Sequence, residues 1–581
     1  MRLKQNRQSF LKWGFALSAM IILMIGGFAG RKATWLRLDL DPVISSADLL
    51  QQRMDESQHL FEPRPGATPV VAESAGSGWI SQPAVVAQAA TVKSNLAAFH
   101  RSRPRAKLPP IEEQERRLAT ATLANAEGRF AEALAEVPPP AEATLPPSHH
   151  VERHRLIRVI QVRADAFYGL RDWTSALAEY RRIHALHPNH VPVLGRMAEC
   201  LVAQGATKEG LDAYEQWAAL QVSAGHRQLV QSKPEATWHY GKALDVQRRL
   251  ATQSPQSDAV SRLAMTYNFW SISQLLQNKP EAALAPLETA IGIQQHLIVD
   301  LGRTNQSLNL AQSHARLGVA CFLVGKLGDA ETHLGKAIET LNQTKSPNVN
   351  RSDRHRVATW LLCQGHALLG QQQLASASQK YGSAIDVLQS LGHPSTPASS
   401  ILDLAMAHNS RGVARRAQGD PEGASSDFDR AWEQLLPMIE SPSAANPTLG
   451  STQDPLSEPD LRLNVALGFT GESIDVLSRA RLATSTGGHA ELSVSSATVR
   501  RNRGYLRLSK GLVRPAIDDF AAAASIFRKM VENEGQHDMA PQLAKSLVPL
   551  ALIYAAHSDA AFRNGIQAKA VAESACELSE W

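Results

Sequence analysis

Two histidine clusters come nearest to a metal site in this 581-residue chain: His184, His187 and His190, and His149, His150 and His154. Ring nitrogens four residues apart, as in His150 and His154, share a helix face and can hold one ion. In the first cluster Pro188 ends a helix, so the third ring cannot keep the same face. Both clusters read as polar helix-end residues, and no metal or cofactor is expected. Asp518 and Asp519 are adjacent, so on a helix they point apart and read as a solvated face rather than an acid–base pair. Cys200, Cys321, Cys363 and Cys576 are widely separated and form no CxxC pair, which argues against a disulfide framework or zinc site. They read as small apolar side chains. No GxSxG elbow, phosphate-binding loop, HExxH or dinucleotide fingerprint occurs. The chain is expected not to be an enzyme.

The informative spacing is structural. Gly318-Gly325-Ala330-Leu334-Ala337, Gly412-Gly419-Ala424-Phe428-Ala431 and Gly504-Gly511-Ala516-Phe520-Ala523 have identical offsets. Each predicts two antiparallel helices. The first Gly lies inside the first helix and lets the second approach. The next Gly sits where that helix stops, in the left-handed position that favours glycine. The Ala, large residue and Ala recur at four and three residues, one face of the second helix. One pair cannot bury its apolar face alone, so successive pairs stack into a superhelix.

These motifs resemble the tetratricopeptide repeat (TPR) family. Weaker copies extend the resemblance: Phe167, Leu170, Asp172, Trp173, Ala176, Tyr180 and Pro188; Gly205, Gly210 and Tyr214; Asn278, Ala283, Leu287 and Ala290; and Gly365, Ala377, Tyr381 and Ala384, with Gln372 in the turn position. Gly128, Phe130 and Ala133 form a degenerate first copy. The expected fold is an all-α TPR-like solenoid of about eight units over residues 111–581. The units are longer than the usual period of about 34 residues, as in bacterial arrays often attached to membrane serine/threonine kinases. The kinase signatures themselves are absent.

The resemblance implies protein or peptide binding on the concave surface lined by first helices. Residues expected to face it are Asn409, Val413 and Arg416; Arg501, Asn502, Tyr505 and Leu508; and Ala315, Val319 and Phe322. Val319, Val413 and Tyr505 stand where a carboxylate clamp needs Asn, which argues against that kind of clamp. Arg411, Arg415, Arg416, Arg500, Arg501, Arg503 and Arg507 suggest either a basic surface for an acidic partner or ridge residues paired with Asp and Glu of the next helix.

Residues 1–37 contain seven basic and no acidic side chains, more than the whole net charge of +5. The high isoelectric point therefore gives no warrant for nucleic-acid binding by the array. The run Trp13–Gly30 is uncharged, and as a helix it would span about 27 Å against about 30 Å of hydrocarbon. The expectation is an N-terminal membrane anchor within residues 1–32, with a signal peptide cleaved after the small residues Gly27 and Ala29 as the alternative, and a single-pass protein with its array on the non-cytoplasmic side. Residues 33–110, with Glu62–Pro69 at their centre, read as a flexible linker. Repeats are expected at 111–220 and 221–440, then a Pro/Ser-rich break at 441–460, then further repeats at 461–581. The similarity also implies a turn at Asp559, Phe562, Arg563 and Gly565, followed by a helix packing through Ala568, Ala572, Ala575 and Leu578. Two functions follow: a scaffold that gathers a protein partner, or a self-associating assembly component joined through its C-terminal edge.

Overall fold

Small residues inside a helix permit close packing only if a large residue from its partner fills the gap. In the computed structural model, Gly318 faces Leu334, Gly365 faces Tyr381, Gly412 faces Phe428 and Gly504 faces Phe520. A Cβ at any of these glycines would come within 2.5–2.9 Å of the opposing side chain. Those large side chains are fully buried, as are the alanines flanking them: Ala330 and Ala337, Ala424 and Ala431, Ala516 and Ala523.

The structure describes residues 27–56, 82–102, 110–140, 150–188, 190–230, 235–253, 258–277, 279–343, 351–391, 398–440 and 488–579. Among them are twenty-one α-helices and no strand. The chain divides into two compact units, 1–220 and 221–581.

The first unit contains α1 (Gly27–Glu56), α2 (Pro83–Ser102), α3 (Pro110–Ala126), α4 (Phe130–Glu136), α5 (His150–Gly169), α6 (Trp173–Leu186) and α7 (Val191–Ala203). Helix α8 (Thr207–Val230) follows α7 after a short turn. Helices α3/α4 and α5/α6 are antiparallel pairs, and α7 packs on α6. The second unit continues with α9 (Glu235–Gln253), then five pairs: α10/α11 (Asp258–Leu276, Pro280–Val299), α12/α13 (Ser307–Leu323, Leu327–Gln343), α14/α15 (Arg351–Gly370, Leu374–Ser390), α16/α17 (Ala398–Gln418, Pro421–Glu440) and α18/α19 (Gly488–Ser509, Val513–Glu532). A final pair is α20/α21 (Ala540–Ala556, Gly565–Ser579). In the second unit each second helix of these pairs also packs on the next first helix, so apolar clusters follow one another along that unit.

The turns follow the sequence with two exceptions of residue type. Gly325, Gly419 and Gly511 have φ of 84°, 82° and 74°. Gln372 and Arg171 occupy the same left-handed position, at φ 62° and 60°. In the α10/α11 pair the small residue opposite Leu287 is Ser271, whose buried hydroxyl donates to the Tyr267 carbonyl at 2.8 Å. Near the end, Asp559 caps its turn by accepting from the Ala561 amide at 2.9 Å. Ala568 and Ala575 are buried on α21, but Ala572 is exposed and Val571 packs in its stead.

Two expectations change. The single-pass membrane assignment is corrected: among the described residues no helix is long and apolar enough to cross a membrane. Helix α1, described from Gly27, includes the last residues of the Trp13–Gly30 run and continues through Arg31, Lys32, Arg37, Asp39 and Asp41; residues 1–26 lie outside the described residues. Two stretches of the expected linker are helices with an ordered core. Val43, Ala47, Leu50 and Met54 on α1, and Val85, Ala89, Val92, Leu96 and Phe99 on α2, are buried. Their spacing of three and four residues gives each helix an apolar stripe. Glu62–Pro69 and the expected break at 441–460, with the residues up to 487, lie outside the described residues.

Candidate interaction surface

The first helices α12, α16 and α18 carry the residues expected on the binding face. The structure buries many of them between neighbouring pairs. Asn409 and Asn502 are both 0% exposed, and the Asn502 amide donates to Asn409 Oδ1 at 3.0 Å, tying α16 to α18. Arg501, 2% exposed, donates to Gln542 Oε1 of α20 at 2.9 Å, with its guanidinium 5.9 Å from the Phe527 ring centre. Val413 packs with Ala424, Phe428 and Leu506, and Ala315 and Val319 lie in the core around Leu334. These residues hold first helices to one another and cannot touch a partner, because an α-helix flanked by neighbours on both sides has little face left for the groove. Phe322, Arg416, Tyr505 and Leu508 remain half-exposed. Arg416 sits 5.6 Å from the Tyr505 ring centre, and Tyr505 meets Phe520 edge-on at 4.9 Å.

Most of the arginine cluster has carboxylate partners on the second helix. Arg411 grips Asp427 with two bonds (Nε 2.9 Å, Nη2 2.6 Å), and Arg415 adds a third at 2.9 Å. One pair further on, Arg503 grips Asp519 at 3.0 and 2.7 Å, and Arg507 adds a bond at 2.8 Å. Asp427 and Asp519 each directly precede the large residue of their motif. Asp519 therefore does not belong to a solvated face; it is 2% exposed and points at the first helix. Burial alone would raise the Asp427 carboxyl. Hydrogen bonds from His408 and Arg411, and the charges of Arg411 and Arg415, outweigh it and hold the carboxyl below its usual range. In the Leu334 repeat the corresponding pair is His314 and His333, stacked with ring centres 5.3 Å apart. Burial, and next the neighbouring His333, lower His314 to about 4, and burial first lowers His333 as well.

Of the histidine clusters, His187 and His190 meet edge-on at 5.6 Å. His190 is lowered to about 4, by burial first and then by His187 and His154. His149 lies outside the described residues. Cys200, Cys321 and Cys363 are buried in α7, α12 and α14, and Cys576 is exposed.

A different surface, missed in the sequence, is built in the first unit. There α1 packs against α3 and places Asp48, Gln51 and Asp55 against α5. Arg158 of α5 bridges Asp48 of α1 (2.6 Å) and Glu115 of α3 (2.9 Å). Gln51 donates to Asp165 at 2.8 Å, and Gln161 donates to both Asp55 oxygens at 3.2 and 3.1 Å. Tyr180 of α6 donates to Asp165 at 2.6 Å.

The architecture is that of a TPR-like array of helix pairs. No protein-family model matches the chain, and no curated protein matches it. Solved structures similar to it include BtubC (BKLC) from P. vanneervenii, at 19% identity over 46% of this chain and 91% of that one, with a TM-score of 0.31. The apo form of RapI is similar at 11% identity over 69% and 95%, with a TM-score of 0.32. The P58(IPK) TPR domain is similar at 12% identity over 81% and 98%, with a TM-score of 0.21. Likeness at this level says nothing about function; the repeat architecture stands on the chain's own helix pairs.

Proposed function

We propose that this protein is a non-enzymatic scaffold that binds a protein partner along the first-helix face of its repeat array. The observation that carries the reading is the array itself. Within each unit, successive pairs stack through local apolar clusters and present a row of first helices, a geometry that offers extended surface. In the second unit the partner contacts Phe322, Arg416, Tyr505 and Leu508, the aromatic, Arg and apolar types that dominate interface energy. Because Arg411, Arg415, Arg503 and Arg507 are engaged by Asp427 and Asp519, these arginines give no reason to assign an acidic partner to that unit.

The test is a pull-down with the full chain, comparing wild type with Arg416→Ala/Tyr505→Ala. A specific protein recovered by wild type and lost by the folded variant supports the reading. Equal recovery by both moves the contact elsewhere, and recovery of no protein overturns it. A second reading, self-association, rests on the exposed apolar side chains Val548, Leu552 and Ile566 of the α20/α21 pair. Light scattering across a hundredfold concentration range separates the two. A mass that rises with concentration, and stays monomeric in Leu552→Asp, favours assembly.

A further inference from the structure

Helix α1 does not behave as one more repeat. It pairs with its neighbour α2, whose Asn95 donates to Ser46, but it also packs on α3, bonds to α5 and comes near enough to α7 for Arg196 to act on Asp55. Helices α3, α5 and α7 are the first helices of three successive pairs. Residues 41–55 therefore lie across the face on which a TPR-like array would receive a ligand. Their apolar stripe (Val43, Ala47, Leu50, Met54) is buried, and their polar stripe (Asp48, Gln51, Asp55) supplies the hydrogen bonds.

We propose that residues 41–56 are a displaceable ligand held in cis, and that the first-helix face of unit 1 is a binding surface for an amphipathic helix carrying carboxylates two turns apart. The inference rests on the scaffold reading and adds to it a second contact surface, in the first unit, with its own ligand chemistry. The partner is a helix with an apolar stripe spaced 4-3-4 and an acidic residue at each end of a seven-residue interval, one of them to meet Arg158.

The polar half of the contact makes docking conditional. Asp55 and Asp165 face each other across α1 and α5. Their bonds come from Gln51, Gln161 and the Tyr180 hydroxyl, while Arg196, beside Glu199 on α7, acts on both from further off. Arg158 is shared with Glu115, and His154 acts on Asp48 from the start of α5. Burial first, then the charge of Asp165, push Asp55 up to about 8. A carboxyl raised on docking is bound most tightly while protonated. Its contribution is complete below 3.8 and is lost as the pH climbs through about 8. A helix held in this way can be released and replaced.

The experiment uses the full chain and a fluorescein-labelled synthetic peptide of residues 41–56. In wild type, exchange protection at 41–56, corrected for intrinsic rate, falls at least tenfold between pH 6.5 and 9.5; in Asp55→Asn the fall is smaller. Asp55→Lys frees the segment, and the freed chain binds the wild-type peptide at least tenfold tighter than wild-type chain does, but not a peptide with Asp48→Lys and Asp55→Lys. Leu50→Asp, which opens the apolar stripe instead, gives the same peptide uptake. Protection of 41–56 that is pH-independent in wild type, or equal peptide binding by closed and freed chains, overturns the proposal. A partner captured in the pull-down by a chain whose 41–56 segment stays protected leaves the scaffold reading standing and removes this one. Peptide uptake by the freed chain without capture of any protein does the reverse.

Discussion

Gln372 sits at φ 62°, in the turn where three sister repeats have glycine. A side chain in the left-handed region costs about 1–2 kcal/mol, partly offset because glycine loses more entropy on folding. Gln372→Gly should therefore stabilise the second unit by about 0.5–1 kcal/mol, read as a higher urea midpoint with unchanged slope. Asp427 is the opposite case. Removing it by Asp427→Ala strands Arg411, Arg415 and His408 at a buried site, and loss of one partner from such a network costs about 3–5 kcal/mol. Since the folded carboxyl titrates below its ordinary 3.8, its stabilisation is complete above that pH. It is lost as acid takes the pH through the lowered value. An acid titration by circular dichroism should show wild type losing its advantage over Asp427→Asn as the pH falls below about 4.

At the scale of the helix pair, the Gly–large contact sets how closely two helices approach. Gly504→Leu would drive a side chain into the Phe520 ring, 2.9 Å from the new Cβ. Overpacking of this kind costs about 1–3 kcal/mol, and Gly504→Leu/Phe520→Ala should recover part of the loss in a thermal melt. The pairs were legible because their code is local: a small residue, a turn glycine and an Ala-large-Ala face recur at fixed offsets within some twenty residues. What was hidden is contact at a distance or by unlike residues. Ser271 replaces the small glycine without altering the helix pattern. That these arginines pair with carboxylates of the next helix was one of the two readings; which carboxylates, Asp427 and Asp519, depends on knowing that the residue before the large aromatic turns back toward the first helix. Helix α1 was obscured by its mixed composition and by Pro42, and its partners Arg158, Gln161 and Asp165 lie over a hundred positions away. The expected groove residues Asn409, Arg501 and Asn502 failed for a related reason. Their types suit a binding surface, but stacking of the next pair covers them.

Across the whole molecule, contacts run mainly between neighbouring helices, so stability should be additive along the chain rather than shared by one core. A lesion in one pair is then felt by its neighbours and little beyond. Hydrogen exchange on Gly504→Leu should show lost protection within 488–579 and unchanged protection in α3 to α7; uniform loss would mean a single cooperative unit.

The four thiols turn that behaviour into a stopwatch. Cys576 is open to solvent, while Cys200, Cys321 and Cys363 are sealed in three different pairs, and burial lifts the Cys321 thiol to about 11. A native sample should consume one equivalent of maleimide promptly. Each further equivalent then marks the moment a particular pair opens, so mass spectrometry of the alkylated peptides would time the breathing of the array at three points with no probe added to it.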